Sequence, residues 1–489
     1  MNATKPYQLF PFEFMRLNNN KRLVVNEVGE HVFLAEEDFQ KLINHTLDHR
    51  SSTFFDLKAK HILTDTAIAP VIDMLAIKYR TKKAFLYNFT SLHMVVPTLR
   101  CNSNCIYCQV SKKNPDAIGF DMDKRTVENT VKMIFSSPSP AIKIEFQGGE
   151  PLLNFRIVKY IVKYAEKLNK IHGKHLTFVI CTNLTLVTHE ILKFLKRHNI
   201  SISTSLDGPC ELHNKNRPLQ SNELSYDRLI SNIKLARGIL GPGSVSALMT
   251  TTRYSLDQMK EIVDEYVRMG FQYIFIRSLN PYGGAKRESD TMSYNMDEFV
   301  KKYKDTLNYI IELNLRGTYL IESFSSLLLK RILTPFSTGF VDLQSPAGTG
   351  IEGAVYDYNG NVYVSDEGRM LAAMGDPKFL IGNVNSNSHK EIFAGSKLKD
   401  LIANSCIECL PICCHCAFRP YCGADPVRNY AEYGDILCYA SLSQTCKKCK
   451  GILLYLFELL QSEDKNLNRI FWSWINRKPL QELPNCEAC

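Results

Sequence analysis

The sequence predicts an α/β protein: a partial barrel of six βα units, with a small α+β unit before it and a cysteine-rich unit after it. Three observations carry this reading. Between residues 87 and 280, short apolar runs of strand length alternate with helical periodicity. Before that stretch, residues 1–60 read as strands followed by a helix. After it the cysteines accumulate: of 16 in the 489-residue chain, 11 lie beyond residue 405.

At the start, EFMRL and RLVVNEVGEHVFL look like strands and EEDFQKLINHTL like a helix. HMVVPTLR is the first barrel strand. IKIEF (142–146) alternates apolar and charged residues, as a half-buried strand does, and Ile157, Ile161, Ala165 and Leu168 mark one face of the next helix. LTFVI (176–180) and THEILKFLKRH repeat the pattern. ISISTSL (200–206) places Ile200, Ile202 and Thr204 on one face and Ser201, Ser203 and Ser205 on the other. Leu229, Ile233, Ala236 and Leu240 mark a further helix. VSALM and YIFIR complete the series, separated by a helix ending near Gly270. Successive βα units imply a parallel sheet with right-handed crossovers. Six units are too few to close an eight-fold barrel, and reactive groups belong at the C-terminal ends of the strands. Residues 296–334 are helical by pattern, and DYNGNVYV (357–364) is a hairpin with Asn359-Gly360 as its type I′ turn. The expected segments are 1–86, 87–285 (the barrel), 286–345 (a helical linker), 346–450 (the cysteine-rich unit) and 451–489 (a helix and tail).

With 45% hydrophobic and 22% charged residues the chain has ample material for a core. The net charge of +9 is spread along the whole length, so a mildly basic surface explains it without a nucleic acid or a membrane. The N-terminus lacks a basic start followed by an apolar run, and GILLYLFELL is too short to span a bilayer. A cytoplasmic location is expected. There, grouped cysteines are more often metal ligands than disulfides. Cys181 and Cys210 stand apart and read as ordinary core thiols.

CNSNCIYC (101–108) directly follows the first barrel strand and holds Cys101, Cys105 and Cys108. A closed zinc site needs four ligands, and a cubane iron–sulfur cluster has four corners. Zinc here would need a fourth ligand or a water. A cubane on three thiolates would keep one iron open to a small molecule. GGEP (148–151) follows the second strand; Gly148 and Gly149 let backbone approach a ligand closely, and Glu150 adds an acceptor. Asp207-Gly208 ends the fourth strand and Arg217 follows. A serine face, a glycine turn and an arginine suit a ligand with hydroxyls and a carboxylate.

Taken in this order, the CxxxCxxC loop, the aromatic Tyr107 before its last cysteine, and GGEP resemble the radical S-adenosylmethionine (SAM) superfamily. The resemblance implies that Cys101, Cys105 and Cys108 hold a 4Fe–4S cluster whose open iron is filled by the SAM amino and carboxylate groups. It implies a SAM site lined by Tyr107, Gly148, Gly149, Glu150, Thr182, Asn183, Ser205 and Arg217. It also implies one-electron cleavage of SAM and abstraction of hydrogen from an unactivated C–H bond.

CIECLPICCHCAFRPYCGADP contains Cys413-x2-Cys416-x5-Cys422 and resembles the SPASM extension of radical SAM peptide-modifying enzymes, which holds auxiliary iron–sulfur clusters. At least one auxiliary 4Fe–4S cluster is implied, closed by Cys446 or alternatively Cys438; CxxC pairs serve a structural zinc equally well. Two departures speak against a second auxiliary cluster. Ser365 stands where a cysteine is expected, and Asp425-Pro426 where another often follows Cys422, which leaves Asp425 as an alternative carboxylate ligand. Cys406, Cys409, Cys414, Cys449, Cys486 and Cys489 remain unassigned; the terminal CEAC reads as a tail, a zinc contact or a redox pair.

PFEFMRLNNNKRLVVNEVGEHVFL, SDEGRMLAAMGDPKFLIGNV and CAFRPYCGADPVRNYAEYGDI together are similar to the His-Xaa-Ser system radical SAM maturase (HxsB) family. That resemblance implies a precursor peptide with His-Xaa-Ser repeats, a second radical SAM maturase as partner, and an electron donor such as flavodoxin or ferredoxin. The N-terminal strands then act as a leader-peptide binder through an exposed edge, or as a plain cap on the barrel. Peptide cross-linking, sulfatase-maturase-like oxidation of a serine or cysteine, and a non-catalytic metal-bound scaffold are the competing functions.

Overall fold

The computed structural model describes residues 7–17, 20–221, 223–280, 282, 283, 285, 289–437 and 440–483. Six strands follow one another across a central sheet: β1 (Leu92–Thr98), β2 (Ala141–Gly148), β3 (His175–Cys181), β4 (Ile200–Ser205), β5 (Val245–Thr250) and β6 (Ile276–Arg277), each parallel to the next. Helices α1 (Lys124–Phe135), α2 (Phe155–His172), α3 (His189–Arg197), α4 (Ser225–Leu240) and α5 (Met259–Arg268) connect them. One face of each strand is sealed against these helices. On β2, Ile142, Ile144 and Phe146 are buried with Val158, Ile161 and Val162 of α2, while Lys143, Glu145 and Gln147 point to the other side. The serine face of β4 lies on that other side as well, so the barrel interior is polar.

YIFIR does not form one strand. Tyr273–Ile274 pairs with Ile321–Glu322, and only β6 joins the barrel sheet. The cause is Glu322, a fully buried carboxylate that accepts from the Ile276 and Ser325 amides and from the Tyr303 hydroxyl, and so pins the chain between two sheets. Residues 296–334 form two helices, α6 (Met296–Leu315) and α7 (Ser323–Leu333), broken where Gly317 takes a φ of 92°.

The hairpin forms between β7 (Gly353–Tyr356) and β8 (Asn361–Tyr363), and its turn differs from the expected type I′. Asn359 is not in the left-handed region; Gly360 alone is, at φ 86°, and its amide donates to Asp357 O at 2.9 Å. That is a type I turn closed by a glycine bulge. β7 pairs in parallel with β1, and β8 then pairs with β9 (Leu380–Asn383), giving nine strands in the order β6-β5-β4-β3-β2-β1-β7-β8-β9. Helices α8 (Asp366–Ala373), α9 (Pro426–Tyr433) and α10 (Gln444–Leu460) belong to the C-terminal part, with further helices at His389–Phe393, Ser396–Ala403 and Lys465–Asn476. Because β7 shares the barrel's sheet and α10 runs across residue 450, we propose the five sequence segments as stretches of chain rather than separately folding units.

The N-terminal unit is a three-stranded antiparallel sheet, Phe12–Arg16, Lys21–Asn26 and His31–Ala35, with helices Glu36–Ile43, Ser52–Ala59 and Ile68–Lys82. It has a small core of its own around Phe39, Leu42, Phe54 and Leu57. His31 and Phe33 lie 5.0 and 6.3 Å from the ring of Phe457 on α10, and the Tyr421 hydroxyl donates to Gly29 O. No residue of helix Ile68–Lys82 is buried. Among the described residues, no helix is long and apolar enough to cross a membrane.

Candidate active site

The three-cysteine loop leaves β1 and is clamped from three sides. On the first, GGEP lies against its backbone: the Gly149 amide donates to Thr98 O at 3.0 Å and the Glu150 amide to Arg100 O at 2.7 Å. A Cβ on Gly149 would sit 2.6 Å from Leu99 O and closer still to Arg100 O; one on Gly148, whose φ is 113°, would sit 2.6 Å from Thr98 O. The glycines thus bring the loop into contact with the cysteine loop itself, an approach the sequence reading assigned to a ligand. On the second side, Asn183 Nδ2 donates to Asn102 Oδ1 and Ser103 Oγ, both at 2.8 Å. On the third, the Asn104 and Ile106 amides donate to Pro218 O and Asn216 O.

Thr182, Asn183 and Glu150 come together as one unit. Glu150, 1% exposed, accepts from Thr182 Oγ1 (2.6 Å), the Leu152 amide (3.0 Å) and the Asn183 amide (2.8 Å). Burial raises its proton affinity to about 7, and these three donors oppose the rise. Tyr107 and Arg217 converge on Asp207, which is fully buried: the tyrosine hydroxyl and the arginine Nε share one carboxylate oxygen at 2.6 and 3.0 Å. The guanidinium lies 5.1 Å from the Tyr107 ring centre, with one nitrogen 4.0 Å from Cys105 Sγ. Burial opposes the arginine charge, but Asp207, Tyr107 and Cys105 overcome it and hold the pKa above its ordinary value. Burial pushes the Cys105 thiol up to about 11 against the pull of Arg217, and raises Cys101 further. Ser205 stands half-buried at the end of β4, beside Leu248. Asp207 was read from sequence only as a turn marker; a carboxylate beside a glycine at a strand end was its signal.

Among the described residues, no three His, Cys, Asp or Glu side chains converge as a single metal ion would require. A cubane asks something different, since each thiolate takes its own iron. Cys101, Cys105 and Cys108 are neighbours that act on one another's charge, with Glu150 and Arg217 beside them, and this donor set fits such a cluster better than zinc.

A second thiol group lies in the C-terminal part. Cys413, Cys416, Cys422 and Cys446 act on one another electrostatically, and a fifth, Cys449, is buried beside Cys422. The Cys422 contact holds Cys449 below the usual thiol range, with Lys448 and Arg428 adding to it. Cys449 is one turn beyond Cys446 on α10, so the CxxC spacing was its signal. Cys438, Cys486 and Cys489 lie outside the described residues. At both departures from the SPASM pattern the residue present caps a helix: Ser365 caps α8 by accepting from the Gly368 amide, and Asp425 caps α9 by accepting from the Arg428 amide. Cys181, expected as a core thiol, instead donates to Glu145 Oε1 at 3.4 Å on the inner side of the barrel.

The barrel interior opens into a cavity of about 480 Å³, bounded by Met94, Gln147, Leu248 and Arg277 on the strand side and by Glu367 and Cys449 on the C-terminal side.

Residues 95–266 match the radical SAM superfamily. The chain belongs to that superfamily. It is 30% identical over 210 residues to an uncharacterized protein of Methanocaldococcus jannaschii, covering 43% of this chain and 69% of that protein. It is 26% identical to the cysteine-type anaerobic sulfatase-maturating enzyme of Clostridium novyi, covering 69% of this chain and 88% of that enzyme. The structure of native anSMEcpe with bound AdoMet superposes with a TM-score of 0.62 at 19% identity, over 78% of this chain and 100% of that one. Streptococcus suis SuiB bound to precursor peptide SuiA superposes with a TM-score of 0.51 at 13% identity, over 88% and 98%. The protein is a radical SAM enzyme, a class that uses a 4Fe–4S cluster and SAM, and its fold is the SPASM-type arrangement of a partial α/β barrel with a cysteine-rich C-terminus.

Proposed function

We propose that this enzyme is a maturase that modifies a ribosomally made precursor peptide, cross-linking or oxidising it after hydrogen abstraction from a C–H bond, as its resemblance to the HxsB family implies. The observation that carries the reading is the clamped three-cysteine loop at the end of β1, together with a cavity inside the same barrel that reaches Cys449 of the C-terminal thiol group. Cys101, Cys105 and Cys108 would hold the SAM-binding cluster, and Cys413, Cys416, Cys422 and Cys446 an auxiliary one. When bound, the cluster and SAM supply the electron and the carbon-centred radical. The chain's own residues supply the rest. Asp207 keeps Arg217 charged and oriented toward a carboxylate, Glu150 and the Gly148-Gly149 backbone form a rigid wall, and Ser205 offers a hydroxyl. The enclosed interior keeps water from the reacting centre.

The N-terminal unit serves in this proposal as the leader-peptide site. Among the described residues Phe12–Arg16 is an edge strand of its sheet, and helix Ile68–Lys82 is exposed with Ile72 and Ile77 outward. His31–Ala35, at the other edge, packs on α10 and acts as the cap. A cytoplasmic location, an electron donor of the flavodoxin or ferredoxin type and a second maturase complete the proposal. Sulfatase-maturase-like oxidation of a serine or cysteine is the second reading, favoured by the similarity to the Clostridium novyi enzyme. Co-expression with the candidate peptide followed by tandem mass spectrometry separates the two. A new linkage between residues supports cross-linking, and an aldehyde at one residue supports the alternative. Reduction with dithionite and SAM that yields no 5′-deoxyadenosine would leave only the scaffold reading.

A further inference from the structure

The cavity contains more polar groups than the protein itself pairs. Glu367 lies deep in the molecule yet keeps accessible surface, because that surface faces the cavity; no ion pair or hydrogen bond engages its carboxylate among the described residues. Asp425 uses one oxygen as the cap of α9 and has no ion pair among the described residues. Asp342 stands at the mouth, also without an ion pair among the described residues. The same wall carries a separate signal. The Tyr282 hydroxyl is fully buried, borders the cavity and has no hydrogen-bond partner among the described residues. Thr349 and Thr445 border it with hydroxyls in the same state. A buried hydroxyl without a partner costs about 1–3 kcal/mol, so three around one space call for water or a ligand to complete them.

The surrounding cations do not complete the set. Arg369 is paired with Asp366, and Arg428 with Glu432 and Asn280. Lys448 reaches the Ser278 hydroxyl at 3.4 Å, and Arg277 faces Glu367 without forming an ion pair. Among the described residues that line the cavity, the acids Glu145, Asp342, Asp366, Glu367 and Asp425 outnumber the bases Lys143, Arg277, Arg428 and Lys448 by one. Glu367 holds its proton more tightly than an ordinary carboxyl, through burial first and repulsion from Asp342, Asp425 and Asp366 second. An incoming positive charge relieves that repulsion.

We infer that this cavity is a subsite for one basic side chain of the substrate, an imidazolium, ammonium or guanidinium, which donates to Glu367 and Asp425 while its surroundings engage the Tyr282 hydroxyl. The inference rests on the peptide-modifying reading above. A volume of about 480 Å³ accommodates such a side chain together with adjoining backbone.

The test uses full-length holoenzyme, reconstituted anaerobically with SAM, and four probes: N-acetyl methylamides of histidine, lysine, glutamate and leucine. Binding is read by saturation-transfer NMR titration. The basic probes are expected to bind more tightly than the glutamate and leucine probes. Glu367→Gln should weaken them about tenfold and Tyr282→Phe about threefold, at unchanged iron content. Asp342→Asn, at the mouth, provides a second charge deletion where Glu367→Gln fails to fold, and should weaken them about threefold. Equal binding of all four probes, or basic-probe affinity unmoved by the carboxylate substitutions, overturns the inference. Wild-type enzyme that cleaves SAM but shows no basic preference refutes this subsite alone; wild-type enzyme that does not cleave SAM refutes the reading beneath it.

Discussion

Replacing Gly149 by alanine tests whether GGEP serves the cysteine loop. The new methyl would lie 2.6 Å from Leu99 O and nearer to Arg100 O, both backbone atoms on the segment that leads into Cys101. To bring the methyl to ordinary contact with Arg100 O the two loops must separate by roughly 1.3 Å. That movement breaks the Gly149–Thr98 and Glu150–Arg100 hydrogen bonds, now 3.0 and 2.7 Å. Two such bonds contribute about 1–3 kcal/mol together, and more where a buried group is left unpaired. This is well short of the 5–15 kcal/mol that holds a domain folded, so the damage should stay local. Misplacement by about 1 Å at a reacting centre costs on the order of a hundredfold in rate. The expected result is a folded protein with its auxiliary iron intact, a depleted SAM-binding cluster and about a hundredfold less 5′-deoxyadenosine under dithionite. Gly238→Ala, on α4 with open space around it, is the control and should leave both unchanged. Wild-type SAM cleavage by Gly149→Ala would refute the reasoning.

Asp207→Asn should leave the buried Arg217 without its counter-charge, costing about 3–5 kcal/mol, and lower both the melting temperature and SAM affinity; calorimetry showing neither change would argue against the pairing as a structural device. Cys413→Ala with Cys416→Ala should lower iron content and abolish peptide modification while some uncoupled SAM cleavage persists, with circular dichroism confirming that the C-terminal part stays folded. A double variant that modifies peptide at the wild-type rate makes the auxiliary site dispensable. Burial raises the Glu352 pKa to about 7, so its favourable contribution is complete below the ordinary carboxyl range and is lost as pH rises through 7. Glu352→Gln should therefore gain stability relative to wild type at pH 8 compared with pH 5, by roughly 3 kcal/mol at most; equal melting-temperature differences at the two values would contradict this.

The barrel was legible because each strand carried its own period and each helix its own stripe, as at Ile142, Ile144 and Phe146 against Ile157 and Ile161. What escaped depended on partners distant in sequence. YIFIR reads as one strand, and only Glu322, 46 residues beyond Ile276, shows why it divides. The Asn359-Gly360 turn was placed correctly, but its type follows from backbone angles that the dipeptide does not determine. The convergence of Thr182, Asn183 and Glu150 agrees with the order in which the motifs appear along the chain. The Tyr107–Asp207–Arg217 triad does not follow from that order, because its three members share no motif.

The parallel pairing of β7 with β1 has a mechanical consequence. The strand that launches the cysteine loop is flanked by β2 on one side and, on the other, by a strand from beyond residue 350. Cutting the chain before β7 would turn β1 into a naked edge, inviting association with other chains at the very strand that positions the reactive loop. The barrel and the hairpin thus form one continuous plate of strands, with no break in the pairing between them. Under the proposed maturase function, a substrate lying along that plate would meet a surface whose shape is set when the protein folds rather than by closure around it.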